Sequence, residues 1–284
     1  MPKGRDTLDG FPRPWCPILN TRGSRRIHSS ALAVVLAFVS LLGCSAGPTG
    51  DGEPPPAQPW PNEPAGFTVL TDQPWDALAS LGWKHVNRSS QSRIVQDPTA
   101  PLSPHNVLED FYPAGYVGGG EPAVDFFRLG STELFIGFWW KASPNWQGHP
   151  SDNTNKLAFV WTQQGTDWII AMWGNPGGPY DLRTLNEGMG IDEWLTPNRG
   201  NGQVVPGTWY RIEWYVRLAT EPGANNGMSR WWINGQLVGD YANINTSRAT
   251  QIVQFEFAPT WGGLAGVKQH DDYFRYDNAH LSVP

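Results

Sequence analysis

The stretch 207–241, GTWYRIEWYVRLATEPGANNGMSRWWINGQLVGDY, decides the fold. From Tyr210 onward, Tyr210, Ile212, Trp214, Val216 and Leu218 fall on one side, while Arg211, Glu213, Tyr215 and Arg217 fall on the other. A strict period of two is what a half-buried strand requires, because successive side chains leave opposite faces of a sheet. Farther on, 230–233 and 236–241 flank Asn234-Gly235. That dipeptide tolerates positive φ at both central positions and closes a two-residue type I′ hairpin. In this register Trp232 faces Leu237 and Trp231 faces Val238. The stretch reads as strand, polar loop and hairpin, apolar on one face and charged or aromatic on the other.

The same pattern recurs on both sides of it. Segment 134–143 sets Leu134, Ile136, Phe138, Trp140 and Ala142 against Phe135, Trp139 and Lys141. Segments 155–162 (NKLAFVWT) and 167–174 (DWIIAMWG) are almost wholly apolar, as expected of strands covered on both faces. Segment 251–258 alternates Val253, Phe255 and Phe257 with Gln254 and Glu256, and 273–283 forms a last strand. No segment after Phe67 shows helical periodicity, and no repeat of fixed period suggests a propeller. Strands without intervening helices give an all-β sandwich or barrel of antiparallel sheets.

The N-terminus reads differently. Lys3, Arg5, Arg13, Arg22, Arg25 and Arg26 precede an apolar run, 31–42, which ends at Leu41-Leu42-Gly43-Cys44. This resembles a bacterial lipoprotein signal, in which the cysteine, here Cys44, becomes the lipidated N-terminus. An ordinary cleaved signal peptide with a chance cysteine is the alternative. The apolar run is shorter than the roughly 20 residues a bilayer span needs. The expected organisation is a signal over 1–44, a Pro/Gly-rich tether over 45–64, and one folded domain over 65–284. Trp60 reads as incidental to the tether. The expected location is the bacterial cell envelope, with membrane contact through the lipid alone.

The chain has 20 basic and 26 acidic residues, and 1–44 hold 6 and 2 of them, leaving 14 and 24. A net charge of −10 without a basic run argues against nucleic acid as a partner. The cysteines are Cys16 and Cys44, so the expected domain has no disulfide and rests on its core.

The order GTWYRIEWYVRL, WWINGQLV, FAPTWGG and DDYFRYDNAHLS resembles the concanavalin A-like lectin and glucanase jelly roll. Upstream, DPTAPLSPHNVLE, GGGEP and the FWWKASPNWQGH–NKLAFVW pair are similar to jelly-roll domains grouped with bacterial polysaccharide lyases of the heparin and alginate lyase type. The resemblance covers about Phe67 to Pro284. It implies two stacked antiparallel sheets, the concave one carrying a sugar groove, with a polysaccharide as partner.

All but one of the 16 tryptophans follow the leader. Trp140, Trp161, Trp173 and Trp214 sit in apolar runs and read as packing. Trp139, Trp146 and Trp261 have polar or glycine neighbours and are candidates for stacking on sugar rings, since a flat indole offers large area at low entropic cost. Arg211, Glu213, Tyr215 and Arg217, with Lys141 and His270, are candidates for gripping hydroxyls or a carboxylate; a solvated face of cross-strand ion pairs is the alternative. The Glu-x-Asp-x-Glu string of jelly-roll glucanases is missing, which argues against glycoside hydrolysis of that type. A uronate lyase would need a proton acceptor near a neutralised carboxylate, for which His149, Lys156 and Tyr273 are candidates. The Tyr-Phe-Lys-x-Gly-x-Tyr string of such lyases is absent. A third reading is a structural or partner-binding lipoprotein. No cofactor is expected; a structural calcium would draw on Asp271, Asp272 and Asp277, whose hydrogen bonds can equally brace the fold.

Overall fold

The computed structural model describes residues 60–88, 92–102, 105–187, 194–246 and 249–284. Sixteen strands are formed and, among the described residues, no helix. In chain order the first eight are β1 (Thr68–Gln73), β2 (Lys84–Asn87), β3 (Ser92–Gln96), β4 (Asn106–Tyr112), β5 (Ala123–Ser131), β6 (Glu133–Ala142), β7 (Thr154–Thr162) and β8 (Asp167–Trp173). The rest are β9 (Tyr180–Glu187), β10 (Trp194–Leu195), β11 (Gln203–Val204), β12 (Tyr210–Arg217), β13 (Asn225–Ile233), β14 (Gln236–Asn245), β15 (Ile252–Phe257) and β16 (Asp272–Val283). They build two antiparallel sheets. Sheet I runs β14-β13-β12-β6-β16-β4-β3, with β1 also paired to β16. Sheet II runs β10-β9-β8-β7-β15-β5-β2, with β11 also on β9.

Period two works as read in β12. Ile212, Trp214 and Val216 enter a core shared by both sheets, with Ile136, Phe138 and Trp140 from β6 and Ile170, Met172 and Phe257 from sheet II. The β13–β14 turn has φ of 52° at Asn234 and 82° at Gly235, as a type I′ turn demands. Trp232 pairs with Leu237 as expected. Trp231, however, pairs with Gly239 rather than Val238, because the register shifts between Trp231 and Trp232. A Cβ at Gly239 would collide with the Trp231 indole, so the glycine makes room for a ring that is itself fully buried.

Bulges set which side chains face outward elsewhere. In β16, Phe274 and Tyr276 point inward, and Asn278 at φ 54° is the extra residue. The bulge flips the parity, so Ala279 and Leu281 enter the core and His280 reaches the outer face. In β7 a register shift between Lys156 and Ala158 leaves Lys156, Phe159 and Trp161 on one side.

Residues 60–63 lie across the outer face of sheet I, so the tryptophan read as incidental is part of the fold. Trp60 is 3% exposed and packs over Gly137, where a Cβ would run into its ring. Gly137 sits between Glu213 of β12 and His280 of β16 in register. The Asn62 backbone N–H and Nδ2 donate to the two Glu213 carboxylate oxygens, at 2.9 Å each. His280 stacks on Trp60 at 5.7 Å and bridges Glu63 (2.9 Å) and Asp72 (2.7 Å). This strap fastens the start of the domain to the middle of sheet I.

Trp60→Ala is therefore expected to cost about 3–5 kcal/mol in urea unfolding, the range for emptying a buried indole site. A loss below about 1 kcal/mol would show that the strap is not part of the cooperative fold. Burial acts to lower the His280 pKa, but the hydrogen bonds with Asp72 and Glu63 outweigh it and hold it above its ordinary 6.5. The strap's contribution is thus complete below pH 6.5 and fades as pH rises through the folded-state pKa. Stability profiles of wild type and His280→Phe should converge on that alkaline side; parallel profiles would refute the assignment.

Candidate functional site

The outer face of sheet I carries most of the polar residues picked out from the sequence, and each is engaged by the protein. Lys141 is buried, 2.5 Å from Asp97, with its ammonium 4.6 Å above the Trp209 ring. Arg275 bridges Asp97 (2.9 Å) and Glu109 (2.6 Å), and Arg93 adds a second contact to Glu109 at 2.7 Å. Burial alone would raise the Asp97 pKa, but hydrogen bonds from Lys141, Thr99 and Arg275 hold it well below the carboxylate range. Glu213 is fully buried under the strap, with Arg211 at 3.5 Å. The Tyr215 hydroxyl donates to Glu133, and Arg217 donates to the Asn226 carbonyl at 2.9 Å. Trp139 is partly buried in the Trp60, Phe135 and Tyr215 cluster. These groups form an interlocked charged surface rather than a row of free ligands.

Two of the three stacking candidates need correction. Trp146 is 4% exposed and Trp261 is fully buried, so neither offers an open face to a sugar. Their glycine-rich, polar neighbourhood has another cause, the caging of Lys268. The Lys268 ammonium lies 3.6 Å from the Trp146 centroid, 4.6 Å from that of Trp261 and 2.7 Å from Asp272. Burial brings its pKa down to about 8, against the pull of Asp272.

The proton-transfer candidates do not converge. His149 is fully buried against Trp261, with Nε2 at 2.6 Å from the Ala265 carbonyl. Lys156 lies on the outer face of sheet II, 5.5 Å from the Phe159 centroid. Tyr273 opens sheet I's outer face at the head of β16, where the Arg275 guanidinium covers its ring at 4.1 Å. Tyr273 and His270 border an open hollow of about 640 Å³ with Ser143, Pro144, Asn145, Asp271 and Asp272. The three aspartates serve separate protein donors: Asp271 accepts from Ala114 N–H, Asp272 from Lys268, Ser143 and Gln147, and Asp277 from Leu102 N–H. Among the described residues no group of three carboxylates or imidazoles could hold a metal. Cys44 and the tether through residue 59 lie outside the described residues.

The outer face of sheet II is different in kind. Register places Lys84, Phe126, Glu256, Phe159, Ile169, Leu185 and Trp194 in one row across seven strands. At about 4.8 Å per strand, that row is roughly 30 Å long. A second row follows with Arg128, Gln254, Trp161, Asp167 and Glu187. Trp161, Trp173 and Trp194 are half-buried here: Trp161 lies parallel to Phe159 at 5.9 Å, and Trp173 meets Trp194 at 4.9 Å. Arg183 sits 5.0 Å over Trp173 while pairing with Asp181. Lys84, Arg128 and Lys156 have no carboxylate within ion-pair distance among the described residues.

Trp161 and Trp173 are the residues that the sequence reading assigned to packing. Strands β7 and β8 do bury one face in the core, but their second apolar face is this platform. The available signal was parity: Phe159 and Trp161 alternate with core residues Ala158 and Val160.

No family matches the chain by sequence, and no characterised protein matches it by sequence. Solved structures do. The chain resembles an alginate lyase Aly36B mutant in complex with an alginate trisaccharide, at 16% identity and TM-score 0.51, over 62% of this chain and 80% of that one. It also resembles the endo-β-1,4-glucuronan lyase from the fungus Trichoderma reesei, at 19% identity and TM-score 0.52, over 72% of this chain and 92% of that one. The alginate lyase Aly36B structure matches at 13% identity and TM-score 0.51, over 70% and 96%. At these identities the likeness is one of fold: an antiparallel jelly-roll sandwich of the kind found in polysaccharide lyases.

Proposed function

We propose that the domain binds a polysaccharide along the outer face of sheet II, and that Cys44 anchors it by lipid to the bacterial cell envelope. The observation that carries the binding reading is the set of half-buried indoles Trp161, Trp173 and Trp194 on β7, β8 and β10, with buried Phe159 packed beneath Trp161. Flat aromatic faces suit sugar C–H surfaces, and several spread over one sheet face suit a chain rather than a single ring. Lys84, Arg128 and Lys156 at its margin, without a carboxylate partner among the described residues, favour a polymer with carboxylates, in keeping with the alginate and glucuronan named for the fold neighbours. A binding energy of about 4–8 kcal/mol, millimolar to micromolar, is expected of such a face.

A second reading, β-elimination on a uronic-acid polymer, is favoured by the activity named for those neighbours. Lys156 is the one proton-transfer candidate on the platform, and Arg128 and Lys84 supply positive charge for a uronate. Incubating the full-length protein with alginate and glucuronan separates the two readings. Absorbance from unsaturated chain ends, abolished in Lys156→Met, would mark a lyase; retention on the polymer without new chain ends would mark a binder.

For the binder, Trp161→Ala and Trp173→Ala should each weaken retention roughly tenfold, about 1.4 kcal/mol. Raised salt should weaken it too, since Lys84 and Arg128 are exposed and Lys156 half-buried. Unchanged retention in both variants would remove the platform from consideration. The anchor has its own measurement: labelling with a radioactive fatty acid should vanish in Cys44→Ser, and a label that persists would exclude this cysteine.

A further inference from the structure

The hollow beside Tyr273 lies outside sheet II's platform and is built from the two crossovers that join the sheets. Ser143, Pro144 and Asn145 leave β6, and His270 and Asp271 lead into Asp272 and Tyr273 of β16. Its floor is fixed. Buried Asp272 accepts from Ser143 Oγ (2.5 Å), Gln147 N–H (3.0 Å) and Lys268 Nζ (2.7 Å), three of the about four bonds a carboxylate can take, and His270 Nε2 lies 3.5 Å from it. His270 Nε2 meets the Asn145 carbonyl at 2.8 Å, tying one wall to the other. The rim is unspent. Among the described residues, the Tyr273 hydroxyl, the Asn145 side-chain amide, His270 Nδ1 and one Asp271 oxygen have no protein partner.

We infer that this hollow is a second glycan subsite, taking one or two neutral pyranose units. The chemistry of the rim selects the class. A phenol, an amide and an imidazole nitrogen each offer a donor, an acceptor or both, and a carboxylate accepts; neighbouring sugar hydroxyls donate and accept in the same way. The Asp271 carboxylate at the mouth, which no cation pairs among the described residues, disfavours a uronate or a phosphate, while the charge of Asp272 behind it is offset by Lys268. Pro144 supplies an apolar wall, and the volume falls within the about 300–1,000 Å³ typical of small-ligand sites. The two faces would then recognise different parts of a mixed polymer, or two glycans at once. This inference does not rest on uronan binding by sheet II.

Backbone amide NMR of the full-length protein, titrated with glucose, galactose, mannose and N-acetylglucosamine, tests it. At least one sugar should shift amides at residues 143–145 and 270–273, and Asn145→Ala and Tyr273→Phe should each raise that sugar's Kd about five- to tenfold. Asn145 is exposed, so its variant folds even if Tyr273→Phe does not. No shift with any of the four sugars, shifts confined to residues 159–173, or an unaltered Kd in Asn145→Ala would each overturn the proposal. Alginate retention, measured on the same sample, reports separately on the platform.

Discussion

Phe257 of sheet II lies between the rings of three other strands or loops: Phe138 at 5.2 Å and Tyr276 at 4.3 Å from sheet I, and Trp83 stacked at 5.8 Å. Around this aromatic contact the two sheets are also joined by polar groups. The Tyr276 hydroxyl donates to the Leu157 carbonyl (3.0 Å), Tyr112 to Pro259 (2.9 Å) and the Trp231 indole to Leu182 (3.2 Å). Each of these donors belongs to sheet I and each acceptor to the sheet II side. Buried donors of this kind cost free energy unless paired, so they fix the sheets' relative register as well as their separation. A slip of one residue in β15 would bring Gln254 and Glu256 into the core and push Phe255 and Phe257 out.

With the interior fixed in this way, the two outer faces are free to diverge, and they do. Sheet I closes its face with reciprocal pairing: Lys141, Arg275 and Arg93 against Asp97 and Glu109, then Glu213 and His280 under residues 60–63. The charged groups of that surface have little left to offer a ligand, because anything they bound would first have to displace an internal partner; its half-buried rings, Trp139 and Tyr273 among them, stay partly open. Sheet II leaves aromatic area half-exposed and, among the described residues, cations without carboxylates. In a net-negative domain, Lys84, Arg128 and Lys156, which have no carboxylate partner among the described residues, give this face a local field opposite to the global one.

Much of this architecture was legible in the sequence. The alternation of 210–218 and the Asn234-Gly235 turn were enough to place β12, β13 and β14, and the runs at 134–143, 155–162, 167–174 and 251–258 correspond to β6, β7, β8 and β15 within a residue or two. What stayed hidden depended on single extra residues. A bulge leaves no mark in hydropathy, so the inward pairing of Trp231 with Gly239 and the outward turn of His280 at Asn278 could not be read from spacing. Shorter strands such as β2, β3 and β11 hold their places through partners distant in sequence and carry weak local signals.

The site was harder for a related reason. A polar neighbour suggests exposure, yet around Trp146 and Trp261 the polar atoms belong to a buried lysine that the indoles enclose. An apolar neighbour suggests burial, yet Trp161 and Trp173 follow apolar residues that face the opposite way. In a strand the residue adjacent in sequence lies across the sheet, so local polarity describes the wrong face. The informative neighbours are those two positions away and those in register on the next strand. For Trp161 these are Phe159, Gln254 and Asp167, an aromatic, an amide and an acid, a mixed set that marks the outer face rather than the core between the sheets.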